Sequence, residues 1–267
     1  MRTQIIVGVS GVAVVALFAG GLLWLNGGGT SVSLTVPQTT LTPGASIGGT
    51  IGGPETLAKG PASRYAPART DLPPGYTVDV PNTFQQNIQT FASGYLFDNN
   101  NQGNQLANQW QIVDGYQVYF NPDGLEAGLL QGRFYISTEI YLFNKVDGAM
   151  QAYTYIDNRL ASSAGSQHIT TTRLANASDA FKKVSGTVGT SSIVKAYYRY
   201  LFRRGNIVAI VQIAGSDPQI TVDRARDIAV IIDDRILGKR DNTVPTPIPT
   251  PAINIAPTAA PGASPTP

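Results

Sequence analysis

The chain has 267 residues, with 19 basic and 17 acidic side chains, one histidine and no cysteine. These counts exclude thiolate metal centres, cysteine nucleophiles, disulfide staples and multi-histidine metal sites. The net charge of +2 is too small for the footprint of a nucleic-acid binder, so no nucleic acid is expected as a partner.

Residues 1–4 form a short end carrying Arg2, and residues 5–25 follow as 21 residues without a charge. At a rise of ~1.5 Å per residue such a helix spans roughly 30 Å, the thickness of a bilayer core. A signal-peptide core is shorter, roughly 7–15 residues. Arg2 precedes the run and no charge follows it until Glu55. The positive-inside rule therefore places the N-terminus in the cytoplasm and the body outside the plasma membrane. A single-pass transmembrane anchor in the lipid bilayer is the first expectation; secretion after cleavage of this segment is the alternative. Residues 26–70 are rich in Gly, Ser, Thr and Pro and read as a flexible linker. Residues 241–267 alternate proline with threonine and alanine, the composition of a disordered, extended tail. The folded extracytoplasmic body is then residues 71–240, long enough for one domain with its own core.

Within the body, Phe84, Ile88 and Phe91 have helical spacing and predict a helix from Asn82, with a second helical piece at residues 104–110. "GYQVYF" reads as a strand, "NPDG" as a turn, and "RFYISTEIYLF" as a long strand. Alternation in the long strand puts Ile136, Thr138, Ile140 and Leu142 on one face and Tyr135, Ser137, Glu139, Tyr141 and Phe143 on the other. Asp147 is the expected N-cap of a helix with Met150, Tyr153, Ile156 and Leu160 on one side. "SSIVKAYYRYLF" and "NIVAIVQIAG" are two more strands around a turn. Thr221 opens a last helix, with Val222, Ala225, Ala229, Ile232 and Ile236 inward and Gly238 as its stop. Hairpins that each feed a helix imply an α+β fold, a largely antiparallel sheet packed with helices.

Residues 71–150 hold two basic against eight acidic side chains, and residues 151–240 thirteen against seven. The expectation is that the two halves neutralise each other in the fold.

Catalytic patterns are weak. "DNNNQGNQLANQ", residues 98–109, has one carboxylate and ends on Gln109, too little negative oxygen for calcium. His168 lies in a polar connection and reads as a surface histidine; without a G-x-S-x-G elbow, a hydrolase using it is the least favoured reading. Asp233 and Asp234 are neighbours on a helix, point about 100° apart and read, with Asp227 and Arg235, as a solvated face. There is no phosphate-binding glycine loop in a strand–helix context, and no cofactor or metal is expected. Tyrosines are the richer feature. Those on the polar side of a strand, Tyr141 and Tyr197 among them, are candidates to line a groove for a ligand or partner. In "RRGN", Gly205 and Asn206 suit a tight hairpin, which places Arg203 and Arg204 at its tip as candidate partner contacts.

"DLPPGY", "WQIVDGYQVYF", "YLFNKVDGAMQAY", "YLFRRGNIVAIVQIAG" and "ARDIAVIIDDRIL" occur in that order. As a set they resemble bacterial extracytoplasmic domains similar to the Mog1/PsbP-like α/β/α sandwich. The resemblance covers about residues 71–237 and implies a sandwich fold without a shared active site. One departure is "VGTSSIV", residues 188–194, where such domains often carry an acidic turn. The function expected is non-enzymatic: a tethered binding or scaffold module, an accessory subunit that meets an unidentified partner in the membrane or cell envelope. The alternative is a small-ligand sensor or carrier with a pocket between sheet and helices.

Overall fold

The structure, a computed structural model, describes residue 55 and residues 57–241. The anchor expected at residues 5–25, most of the linker and the tail after Asp241 lie outside the described residues. Among the described residues, no helix is long and apolar enough to cross a membrane.

Eight strands form one sheet: β1 (Tyr76–Val78), β2 (Phe84–Gln86), β3 (Ile112–Pro122), β4 (Phe134–Phe143), β5 (Ser166–His168), β6 (Ala177–Thr187), β7 (Val194–Arg204) and β8 (Ile207–Ser216). The spatial order is β1-β3-β4-β8-β7-β6-β5, and β2 also pairs with β3. Every pairing is antiparallel. The helices are α1 (Ile88–Ala92), α2 (Asn100–Trp110), α3 (Glu126–Leu130), α4 (Val146–Ala161) and α5 (Val222–Ile236). The α+β class is as expected, with helices on both faces of the sheet.

Two cores follow from the alternation of the central strands. On one face Ile136, Ile140, Tyr200, Phe202, Ala209 and Val211 pack against Ala225, Ala229 and Ile232 of α5. On the other, Tyr135, Tyr141, Phe143, Leu201, Val208 and Ile210 pack against Ala149, Ile156 and Leu160 of α4 and the aromatic side chains of α1 and α2. The faces predicted for β4 are the faces observed. Glycine allows the close helix contacts that hold α1 and α2 in place. A Cβ on Gly103 would lie 2.1 Å from the Ala92 carbonyl oxygen, and one on Gly148 2.0 Å from that of Trp110.

Several boundaries differ from expectation. The helix expected from Asn82 begins at Ile88, because the Asn87 side chain caps it by accepting from the Thr90 N–H (2.9 Å). Phe84 instead lies in β2, opposite Gln117. Helix α2 starts earlier than expected, at Asn100, capped by Asn99. Lys145, rather than Asp147, occupies the N-cap position of α4, and Asp147 falls in its first turn. Strands β5 and β6 were not expected.

The linker boundary at residue 70 is also corrected. Residues 57–70 lie on the body, where Ala62, Tyr65 and Ala66 are buried beside β3, β4 and α5. Arg235 holds this strap, donating from Nη1 to the Ala66 carbonyl (2.8 Å) and from Nη2 to Asp71 (2.6 Å). The composition of the strap is that of a linker, but small residues and one tyrosine suffice for a segment that lies flat on a formed core.

Candidate functional site

The four residues singled out in the sequence are buried. Arg204 makes a two-point ion pair with Asp233 of α5, Nε to Oδ1 at 2.7 Å and Nη2 to Oδ2 at 2.8 Å, with both side chains almost fully covered. Arg203 donates to the Gly205 carbonyl (2.9 Å) and to Glu55 (3.1 Å). Neither projects from an exposed tip. They occupy adjacent positions at the end of β7, so one points to each face of the sheet, and each face offers a carboxylate. Asp233 and Arg235, read from sequence as a solvated face, are likewise interior. The turn itself needs only Gly205 in the left-handed region (φ +53°). The side chain of Asn206 bridges to the backbone instead, accepting from the Ala58 N–H (2.7 Å) and donating to the Phe143 carbonyl (2.7 Å). Tyr197 is buried in the core under α4.

Tyr141 leads to a different place. Its hydroxyl donates to Glu139 Oε2, two residues away on the same face of β4. Tyr95, in the loop after α1, donates to Glu139 Oε1 (2.9 Å). Glu139 is 5% exposed. Across the sheet, Ser137 of β4 is opposite Gln212 of β8, which is opposite Arg199 of β7. Arg199 is 2% exposed. Its Nε donates to Gln212 Oε1 (2.6 Å), and its guanidinium lies over the Tyr95 ring, 5.0 Å from the centroid. Four polar side chains on three neighbouring strands thus form a patch on the α4 face of the sheet, beyond the part that α4 covers.

These groups form the floor of a cavity of about 310 Å³. Gln117 and Tyr119 of β3 extend the floor. The roof is β2, α1 and the following loop, contributing Phe84, Phe91 and Leu96 as apolar surface. Thr90 and Ser93, both exposed, mark where the cavity reaches solvent. The roof is fastened to the body at its far end. Phe91 packs edge-on against Tyr141 (centroids 4.8 Å apart), Tyr155 of α4 donates to the Leu96 carbonyl (3.3 Å), and Arg159 pairs with Asp98 (2.7 Å).

Burial raises the pKa of Glu139; its tyrosine hydrogen bonds and the positive charge of Arg199 oppose that rise. Burial, reinforced by the Glu139 carboxylate, holds Tyr95 and Tyr141 well above the usual tyrosine range, so both remain proton donors. The cavity therefore presents one carboxylate, one guanidinium and neutral hydroxyl and amide groups.

Two other constellations are tied up structurally. A wider depression of about 640 Å³ lies beside the strap, but two of its polar groups, Asn206 and Asp114, hold the strap backbone at Ala58 and Ala62. His168 is exposed and pairs with Asp179 (2.8 Å), which also accepts from Tyr153 (2.5 Å). Among the described residues there is no group of three or more His, Cys, Asp or Glu side chains arranged to hold a metal ion.

No protein-family model and no curated protein matches the chain. Among solved structures it is similar to the extracellular domain of PknH from Mycobacterium tuberculosis, at 12% sequence identity and a TM-score of 0.37, over 71% of this chain and 100% of that one. A likeness of that extent bears on neither the site nor the chemistry.

Of the candidates taken from sequence, Tyr141 alone lines the cavity. Sequence reasoning missed Glu139, Arg199, Gln212 and Tyr95 as a set. The available signal was polarity at inward positions: Ser137, Glu139, Arg199 and Gln212 alternate in phase with aromatic and aliphatic core residues of their strands.

Proposed function

We propose that the domain is a non-enzymatic extracytoplasmic binding module whose ligand is a small molecule seated in the Glu139–Arg199 cavity. The observation that carries this is the pair of buried opposite charges lining one solvent-reached cavity. Burying ions costs several kcal/mol each unless partners compensate, so a folded chain retains them where they stabilise something. Elsewhere in this chain buried arginines serve structure directly, Arg204 on Asp233 and Arg235 on Asp71. Arg199 and Glu139, held by Gln212, Tyr95 and Tyr141, also line a space the size of a small metabolite. Pockets of about 300 Å³ are at the lower end of those that hold small ligands.

The 21 uncharged residues at 5–25 favour a bilayer anchor that holds the module outside the plasma membrane. The Mog1/PsbP-like resemblance is compatible with the helices on both sheet faces. The accessory-subunit reading has no exposed footing among Arg203, Arg204, Tyr197 and Tyr141, all buried. Ligand binding inside the domain is therefore preferred to docking of a partner on these residues.

The test is retention. Full-length protein in detergent is dialysed against a bacterial metabolite extract, and the bound small molecules are identified by mass spectrometry. Ser137→Trp, which fills the cavity from its floor, is the control. A compound retained by the native chain and lost in the folded variant supports the proposal; equal retention by both, or none by either, overturns it.

A further inference from the structure

Resting on that reading, we infer that the ligand is a small zwitterion of the amino-acid class, its ammonium on Glu139 and its carboxylate on Arg199. Among the residues lining the cavity, Glu139 and Arg199 are the two with full charges, one of each sign. A ligand with net charge would satisfy one and leave the other worse off. A neutral ligand carrying both signs compensates both, and charge-assisted hydrogen bonds are the strong ones. A sugar or polyol offers hydroxyl groups alone, which return less to two desolvated ions than opposite charges do.

The local hydrogen bonding fits the same assignment. Each Glu139 oxygen accepts one tyrosine hydroxyl, from Tyr95 and from Tyr141. A carboxylate has about four acceptor sites, so capacity remains for an ammonium, which can only donate. The tyrosines fix the carboxylate without adding charge, since burial keeps both protonated. On the other side Gln212 holds Arg199 by its Nε–H, and the Tyr95 ring supports the guanidinium plane. A guanidinium fixed this way presents a planar donor edge, the geometry that matches a carboxylate. Tyr95 touches both charged groups and so sets their relative position. Phe84, Phe91 and Leu96 supply an apolar wall for a side chain.

The experiment is calorimetric titration of the full-length protein in detergent with glycine and each of the other proteinogenic amino acids in its L form, with glucose and trehalose as the polyol comparison. For whichever zwitterion binds most tightly, the corresponding amide (carboxylate removed) and deaminated acid (ammonium removed) are titrated next. Each loss of a charge is expected to weaken binding by roughly ten- to hundredfold. Glu139→Gln, checked for a native circular-dichroism spectrum, should weaken the zwitterion by a similar factor and strengthen binding of the deaminated acid, whose carboxylate no longer shares the cavity with the Glu139 charge. Changing the ligand keeps the test decisive if the variant misfolds. A polyol that binds where no zwitterion does overturns the inference and leaves ligand binding standing. No binding by any zwitterion, or equal affinity for the amide and the parent, also overturns it. Failure of the broader reading is distinct, since it appears as equal retention by the native chain and Ser137→Trp.

Discussion

At the scale of single residues, two carboxyl groups carry a measurable pH signature. Asp157 on α4 has its Oδ1 buried without a hydrogen-bond partner. Burial first, then the neighbouring charge of Asp179, raises its pKa to about 6, against a small opposing effect from His168. The folded value lies above the unfolded value of about 3.9, so the folded state binds the proton more tightly. The resulting stabilisation is complete below the unfolded value and is lost as pH rises through the folded one. Asp157→Asn should therefore flatten the dependence of Tm on pH between about 4 and 6 and raise Tm at pH 7. An unchanged slope over that window would mean that Asp157 is solvated in the folded state. Glu139 has the same sign, because burial raises its pKa too. Glu139→Gln is expected to increase stability at neutral pH while removing the proposed ligand contact, a trade of the kind that marks a functional group. A lower melting temperature with native secondary structure would mean that Glu139 is structural.

At the scale of elements, the legible ones were long and strongly periodic: β4, β7, β8, α4 and α5. Even the facing of β4 followed from alternation. Harder cases have physical reasons. Phe84, Ile88 and Phe91 satisfy a helical spacing, but the Asn87 cap splits the segment into β2 and α1. Strand β6 mixes lysines, a glycine and exposed positions, with a register shift between Val184 and Thr187, so its alternation is weak. The candidate site was mostly illegible because it depends on register. Ser137, Gln212 and Arg199 are far apart in sequence and become neighbours only once β4, β8 and β7 are aligned. The β7–β8 hairpin shows the same limit. Arg203 and Arg204 read as exposed because their turn is tight, yet α5 and Glu55 cover them. Arg204→Ala should then cost about 3–5 kcal/mol in urea denaturation, since it leaves Asp233 buried and unpaired. Replacing both partners, Arg204→Met with Asp233→Leu, should recover most of that loss. A change in Arg204→Ala within about 0.5 kcal/mol, as surface substitutions give, would restore the exposed-tip picture.

At the scale of the whole molecule, three ion pairs among the described residues join the acidic first half to the basic second, whereas others, Arg204–Asp233 and Lys182–Asp217 among them, lie within the second half. Asp98 pairs with Arg159, and Asp71 with Arg235 and Arg240. Two of those three contacts are at the strap, where composition and structure disagree most. A tether would leave Tyr65 in solvent, and its loss would be nearly silent. In the structure Tyr65 is 5% exposed, and its hydroxyl donates to the Lys59 carbonyl (2.7 Å) and accepts from the Lys59 N–H (3.1 Å). Its ring belongs to the same core as Tyr116, Ile140 and Ile232. Removing a buried aromatic side chain costs about 3–5 kcal/mol. Tyr65→Ala should therefore lower the unfolding free energy by about 3 kcal/mol, toward the lower end because the strap is at the edge of the core. Tyr65→Phe separates the two contributions: it keeps the ring and should lose only about 1 kcal/mol for the two hydrogen bonds to Lys59. If both variants unfold at the native denaturant midpoint, residues 57–70 act as a tether and the body begins at Asp71. If Tyr65→Ala shifts the midpoint and Tyr65→Phe shifts it far less, the strap is part of the cooperative unit. Ring burial, rather than a surface hydrogen bond, then holds the start of the domain against β3, β4 and α5.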